Sequence, residues 1–312
     1  MEKEASNSFD FISVGSGAAG LAAAVYAGRY RMKTAVFGDS FGGYTSIAGE
    51  IENYPGYISV DGFDLMLTMK KQAENLGAAI IDQKITSVKG EPGNFVVTDQ
   101  NGKEYTAKTI MIATGMEHKT LGLPNEKELT SKGVHYCTTC DAPLYKDKVI
   151  AIVGGGDAAV KGANLSAEYA KKIFLIVRSN KIKAEPINYE QMKKLGDKVE
   201  ILFETQVLQI EGAQKFEKVV LSKPIADSPD LPLDGLFIEI GHFPRTEIAQ
   251  SLDIILDEKG FIQTDAFMRT NKEGIFAAGD VINLFGSFKQ DITSAAMGAV
   301  AATSAYEYLK MQ

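Results

Sequence analysis

The chain has 312 residues, enough to bury one large core or two ordinary ones, with 45% apolar and 23% charged residues. Its net charge of −7 argues against a nucleic-acid binder, which would carry a basic face. No uncharged apolar run reaches the roughly 18 residues of a membrane span, and Met1 to Ser8 lacks the regions of a signal peptide, so a cytoplasmic protein without membrane contact is expected.

In chain order, Phe9–Val14 reads as a strand, Gly15–Gly20 as a turn, Leu21–Arg29 as a helix and Thr34–Phe37 as a second strand. Phe95–Thr98 and Lys103–Tyr105 flank Asn101-Gly102, a hairpin signal, and Thr109–Ala113 reads as a separate buried strand ending at Thr114-Gly115. The strand, glycine turn, helix and strand order then recurs: Lys148–Val153, Gly154–Ala159, a helix through Tyr169, and Ile173–Val177. Further strands are expected at Val199–Phe203, Val219–Leu221, Leu236–Ile240 and Gly274–Ala278, and a closing alanine-rich helix at Ile292–Leu309. Lys70-Lys71 and Lys193-Lys194 read as solvated helix faces. Two βαβ units predict an α/β protein with two Rossmann-like dinucleotide-binding domains.

Gly15-x-Gly17-x-x-Gly20 has the dinucleotide fingerprint spacing, follows a strand and opens a helix. Gly15 permits the tight turn, Gly17 lets the backbone approach a pyrophosphate, and Gly20 lets the helix pack closely. The acidic residue that commonly ends the second strand is absent; Phe37 stands there and Asp39 follows two residues on. Gly154-x-Gly156-x-x-Ala159 repeats the pattern, either as a second nucleotide site or as a turn that serves packing alone.

The only two cysteines form Cys137-Thr138-Thr139-Cys140-Asp141. Such a pair can close a small disulfide ring at a helix N-terminus, where the dipole lowers the thiolate pKa. Asp141 is placed to move a proton when a sulfur leaves. Two cysteines fall short of a zinc site, and His118, His135 and His242 share no ligand spacing, so no metal is expected.

In this order the motifs resemble the low-molecular-weight thioredoxin reductases over nearly the whole chain. Gly15, Ser16, Gly17, Ala18, Ala19 and Gly20 match that family's flavin phosphate turn. Phe37, Gly38 and Asp39 through Gly42 and Gly43 are similar to its second flavin loop, with Tyr44 replacing a glutamine. Glu52–Gly56, including Asn53, looks like the segment beside the isoalloxazine ring. Ala113, Thr114 and Gly115 match a further flavin motif, as does Gly274–Asp280, whose Gly279 precedes the aspartate that contacts the ribityl chain in the family. Lys289, Gln290 and Asp291, leading into Ile292, stand where the family has Arg-Gln-Ala.

The resemblance implies an FAD-binding domain in two parts, residues 1–117 and 246–312, each domain a three-layer ββα fold. A pyridine-nucleotide-type domain at 118–245 is inserted between them and carries the cysteines. It also implies a homodimer. Electrons would pass from FAD to the Cys137–Cys140 disulfide, Cys140 facing the flavin and Cys137 attacking a disulfide of thioredoxin or a thioredoxin-like protein. Asp141 would move the proton, and the insert would rotate between the two tasks.

The donor side departs from the pattern. Lys161 and Gly162 replace two glutamates of NADPH-using members, and their His-Arg-Arg-x-x-x-Arg run reads Val177-Arg178-Ser179-Asn180-Lys181-Ile182-Lys183. An NADP site would use Gly154, Gly156, Asp157, Ala158, Arg178 and Lys183, with Lys181 nearby. NADH and reduced ferredoxin stay open, the latter through the basic stretch Lys171 to Lys183. NAD(P)H is slightly favoured because the glycine cluster is intact. Two other readings are a small-molecule dithiol oxidase, and a redox-sensing or electron-transfer module whose second Rossmann unit is only structural.

Overall fold

A computed structural model of the chain describes residues 7–286 and 288–312, so the first six residues of the expected leaderless start lie outside it. The chain divides into two units, residues 7–117 with 244–312, and His118–Phe243. The second boundary falls between Phe243 and Pro244, just ahead of the expected one after Arg245. Each unit is an α/β fold on a sheet whose central strands are parallel.

In the first unit the sheet runs Ala79–Ile81, Thr34–Phe37, Ser8–Val14, Glu104–Ile112, Asn94–Asp99 and Ile85–Glu91, with Ile275–Ala277 also pairing Glu104–Ile112. The central pairings are parallel, Val14 opposite Phe37 and Ile112. The expected strands Lys103–Tyr105 and Thr109–Ala113 are two ends of one nine-residue strand. Its first half alternates, with exposed Lys108 bonded to Asp10 at 2.8 Å, while its last four residues are buried on both faces. That change of pattern reads as a break, yet the backbone is continuous: the first half pairs antiparallel with Asn94–Asp99, the second parallel with Ile275–Ala277.

Phe11, Ile12, Phe37, Ile110, Met111 and Ile112 are fully buried side chains of this sheet, each contributing roughly 1.5–3 kcal/mol. The helix Ala18–Arg29 is buried along most of its length because alanine and glycine admit close neighbours. The closing helix Asp291–Met311 lies directly on it: a Cβ on Gly298 would sit 2.0 Å from the Ala19 carbonyl oxygen. Of the helix Gly62–Asn75 the sequence reading gives only the solvated face at Lys70-Lys71; its N-cap Asp61 accepts from the Phe63 and Asp64 N–H groups. Lys70 and Lys71 lie on this helix, Lys70 3.7 Å from Glu74.

In the second unit five parallel strands run Val134–His135, Gly235–Ile238, Val149–Val153, Lys172–Val177 and Val199–Phe203. An antiparallel sheet of Val207–Glu211, Lys218–Ile225 and Ser228–Pro232 is added to the unit. The helix after the second glycine cluster, Asp157–Ser166, stops short of Tyr169. Among the described residues no helix is long and apolar enough to cross a membrane, and no group of three His, Cys, Asp or Glu side chains is placed to hold a metal.

Candidate functional site

In the first unit a cavity of about 710 Å³ opens beyond the carboxyl ends of the central strands. That is where open α/β sheets bind ligands, and the volume is usual for a cofactor site. Gly15 holds a φ of +128°, and a Cβ there would sit 2.0 Å from the Ala113 carbonyl oxygen. Gly17 caps the following helix with no side-chain hydrogen bond, so the first helical N–H groups stay available to an anion. A Cβ on Gly38 would lie 2.2 Å from Ser16 Oγ, so only glycine lets the second loop close over the first. These features fit a bound dinucleotide.

Of the expected cofactor residues, Gly15 to Ala19, Phe37 to Asp39, Gly42 to Tyr44, Ala113 to Gly115, Gly279, Asp280 and Asp291 line the cavity. Gly20 lies beneath it, where a Cβ would meet the Gly15 carbonyl oxygen at 1.9 Å. Asn53 and Gln290 are not in the lining and bond to each other at 2.9 Å. Lys289 turns its ammonium to the carbonyls of Asp280 and Ile282, over the Phe261 ring at 4.3 Å, and burial holds its pKa down. Ile292 is half-buried and also outside the lining.

Burial pushes the Asp280 carboxyl above its ordinary pKa, against the lowering effect of a 3.0 Å hydrogen bond from Ser294 Oγ. Thr45 Oγ1 donates to Asp291 Oδ1 at 2.5 Å. Sequence reasoning missed Thr45, Lys84, Glu117, Arg245, Glu247 and Ser294 in the lining. Lys84 and Arg245 lie in loops and the other four in short elements or first helical turns, and only the fold brings them to the cavity.

In the second unit Cys137 and Cys140 form a disulfide with a Cα–Cα distance of 5.3 Å. Cys137 is the N-cap of the one-turn helix Thr138–Asp141, and its Sγ accepts from the Cys140 N–H at 3.2 Å. Thr138 donates its N–H and Oγ1 to Glu239 Oε1, at 3.3 and 2.7 Å, and burial raises the Glu239 pKa. Gly162 makes room for Thr138, since a Cβ there would meet its Oγ1 at 2.8 Å.

Asp141 Oδ2 lies 2.8 Å from His135 Nδ1, and His135 Nε2 lies 2.6 Å from the Tyr145 hydroxyl. His135, Tyr145 and Glu239 were not identified from the sequence. His135 and Tyr145 flank the cysteine motif at short separations, but only the pairing of the strand Val134–His135 with Gly235–Ile238 turns the imidazole toward Asp141.

The second glycine cluster opens the helix Asp157–Ser166 with Gly154 at φ +151° and Gly156 as an N-cap without a side-chain bond. Asp157 Oδ1 accepts from the Glu185 N–H at 3.1 Å and Asn188 Nδ2 at 2.8 Å. The segment after the next strand crosses the turn, Lys183 N–H donating to the Gly155 carbonyl at 2.6 Å. Ala158, Arg178, Lys181 and Lys183 are exposed. The structure therefore gathers Gly154, Gly156 and Asp157 with Lys183 at one helix start, and leaves Arg178 exposed just after the strand Lys172–Val177.

The pyridine nucleotide-disulphide oxidoreductase family matches residues 9–303. The thioredoxin reductase of Streptomyces coelicolor is 37% identical over 304 residues, covering 96% of this chain and 93% of its own. Among solved structures, the thioredoxin reductase of Lactococcus lactis has a TM-score of 0.90 and 33% identity, covering 97% of this chain and 100% of that one. That of T. acidophilum has a TM-score of 0.89 and 33% identity, covering 98% and 100%. The chain belongs to the pyridine nucleotide-disulphide oxidoreductases, as an FAD-dependent disulfide oxidoreductase of the low-molecular-weight thioredoxin reductase kind.

Proposed function

We propose that the chain reduces the disulfide of a thioredoxin-like protein through Cys137 and Cys140, as a cytoplasmic homodimer drawing electrons from NAD(P)H. The observation that carries this is the Cys137–Cys140 disulfide at the start of a one-turn helix, with Asp141 next in the chain. FAD, when bound in the first unit, supplies the electron pair that opens that disulfide. The uncapped N–H groups after Gly17 would hold its pyrophosphate, and Asp280 would accept from a hydroxyl of its polyol chain.

Once the pair is reduced, Cys137 reacts as the thiolate, which the Cys140 N–H favours, with its proton returned to Asp141. That thiolate attacks one sulfur of the partner disulfide, and the other partner sulfur leaves and takes a proton. Cys140 then attacks Cys137 Sγ, which restores the internal disulfide and frees the partner dithiol. Asp141 holds the proton exchanged with the sulfur that leaves when the internal bond opens.

The uncapped turn at Gly156 and the cations Arg178, Lys181 and Lys183 support a nucleotide donor. The same exposed cations favour a second reading, in which an acidic ferredoxin delivers the electrons. Mixing the oxidised protein anaerobically with NADPH, NADH or reduced ferredoxin, and following the flavin absorbance, separates them. Bleaching at micromolar nucleotide supports the first reading; bleaching by ferredoxin alone overturns it. Cys137→Ser should still bleach but lose all thioredoxin reduction, and purified protein without flavin would refute the whole scheme.

A further inference from the structure

Asp141 can protonate a leaving sulfur only while it carries a proton itself. Imidazole is the side chain that most readily exchanges a proton with water near neutral pH. Asp141 is joined to an imidazole. His135 Nδ1 lies 2.8 Å from Asp141 Oδ2, and Nε2 lies 2.6 Å from the Tyr145 hydroxyl. The imidazole is 6% exposed and stacks on Phe237 at 5.2 Å between centroids.

The fold is built around this chain of groups. A Cβ on Gly235 would sit 2.3 Å from Tyr145 Cε1, so only glycine at that position lets the phenol reach His135. Burial, with Asp141 and Asp234 nearby, pushes the Tyr145 pKa up to about 12, which keeps its hydroxyl protonated at neutral pH. The Tyr145 oxygen can accept from Nε2–H, so an imidazolium has an acceptor at each nitrogen, Asp141 at Nδ1 and Tyr145 at Nε2. His135 and Tyr145 also line a cavity of about 630 Å³ with Lys132, Lys215, Glu217 and Asp234. The adjacent strand Gly235–Ile238 has no titratable side chain. Asp141 and Tyr145 are therefore the groups bonded to the ring, and the four charges around the cavity are its wider surroundings, Asp234 pairing with Lys148 at 3.6 Å.

We propose that His135 is the positioning and proton-storing residue of the disulfide chemistry: its imidazolium holds the proton that Asp141 passes to the leaving sulfur. The inference rests on the redox role of Cys137 and Cys140. As an electron pair enters the S–S bond, that bond breaks and Cys137 Sγ leaves as a thiolate. Asp141 Oδ2 takes the Nδ1 proton of His135 and passes it to that sulfur, so Asp141 is a carboxylate before and after and the ring keeps its hydrogen on Nε2. The imidazolium becomes neutral, and water in the cavity restores the proton. One proton moves from solvent to sulfur, and the electron pair resides on the two sulfurs.

The test opens the disulfide with dithiothreitol, so it needs neither electron donor nor thioredoxin, and traps the thiols by alkylation between pH 5.5 and 9. The ratio of wild-type to His135→Asn rates cancels the ionisation of the reagent. We expect a ratio of about tenfold or more at pH 6, falling to about one by pH 9, as general acid catalysis by imidazolium requires. Tyr145→Phe should give a smaller effect of the same sign. A ratio that does not change with pH overturns the proposal. Should His135→Asn fail to fold, the ¹⁵N resonances of His135, one of three histidines in the chain, are titrated in wild type and Asp141→Asn. The midpoint must fall when Asp141 is neutralised, and an unchanged midpoint refutes the coupling. Loss of the reductase reading itself would show elsewhere, as protein without flavin or as a Cys137→Ser variant that still turns over thioredoxin.

Discussion

Glu239→Gln should make the Cys137–Cys140 disulfide more oxidising. Glu239 Oε1 accepts both the N–H and the Oγ1 of Thr138, the residue that follows Cys137. A carboxylate there opposes a thiolate on Cys137, so it disfavours the reduced form and keeps the couple reducing. If the charges are taken as on the order of 7 Å apart, one hydrogen bond plus the Thr138 backbone, then at an effective dielectric constant of about 20 they repel by about 2.4 kcal/mol, or about 50 mV for a two-electron couple. Glutamine keeps an oxygen for the Thr138 bonds and removes the charge, so the midpoint should rise by about 50 mV.

The effect should depend on pH with a defined sign. Burial raises the Glu239 pKa, so the carboxyl is neutral at the acid end and charged above that raised value. The gap between variant and wild type should therefore open as pH increases and close as it falls. The assay equilibrates each protein in dithiothreitol redox buffers from pH 5.5 to 8.5 and counts free thiols by alkylation. With two cysteines in the chain the readout has one origin. A shift below about 15 mV at pH 8.5, or one of equal size at every pH, would refute the electrostatic reasoning, since about 15 mV is under 1 kcal/mol.

Gly15→Ala places a Cβ 2.0 Å from the Ala113 carbonyl in a φ +128° conformation, so the purified protein should lack flavin colour while retaining the disulfide. Gly298→Ala drives a Cβ to 2.0 Å from the Ala19 carbonyl and should destabilise the first unit by about 3 kcal/mol in chemical denaturation. Asp280→Asn should raise the melting temperature of flavin-free protein at pH 7.5 and leave it unchanged below about pH 4. The sign follows from burial: the folded pKa of Asp280 is raised, so the wild type loses stability as pH climbs through that value. If NADPH is the donor, Arg178→Ala with Lys183→Ala should raise its KM about tenfold and leave the KM for NADH unchanged, as the loss of two exposed phosphate contacts predicts.

Local chemistry made both glycine turns and the redox pair readable. Gly15, Gly17 and Gly20 each answer a steric demand within one strand–turn–helix unit, and Cys137 and Cys140 close their ring across one helical turn. Features that depend on distant partners stayed hidden. The helix Gly62–Asn75 buries Leu65, Met66, Met69 and Ala73 on one face, a legible spacing, and only its cap needs the backbone to place Asp61 below two N–H groups. Lys289 stands at a motif position, yet its long stem lets it turn to the Asp280 and Ile282 carbonyls. Glu239 lies about a hundred residues from Thr138, a separation that no local pattern spans.

The two glycine turns share a spacing and differ in what crosses them. After Phe37 the chain passes over the first turn on glycines, Gly42 N–H donating to the Ser16 carbonyl at 3.2 Å, so the covering surface is backbone and the cavity stays open. After Val177 the chain crosses the second turn through Ser179 to Lys183, which carries side chains and positive charge. Glycine spacing alone therefore identifies a turn that can seat a pyrophosphate; the crossing segment decides what is recognised beyond it. A planar arginine fork fixes a phosphate in one orientation, whereas exposed lysines attract any anion from several directions. Arg178 is the one guanidinium between Val177 and Lys183, so discrimination between NADPH and NADH should be modest, and an acidic protein surface would feel the same attraction. Raising the salt concentration weakens both kinds of encounter and cannot separate them. The donor is separated by which molecule bleaches the flavin.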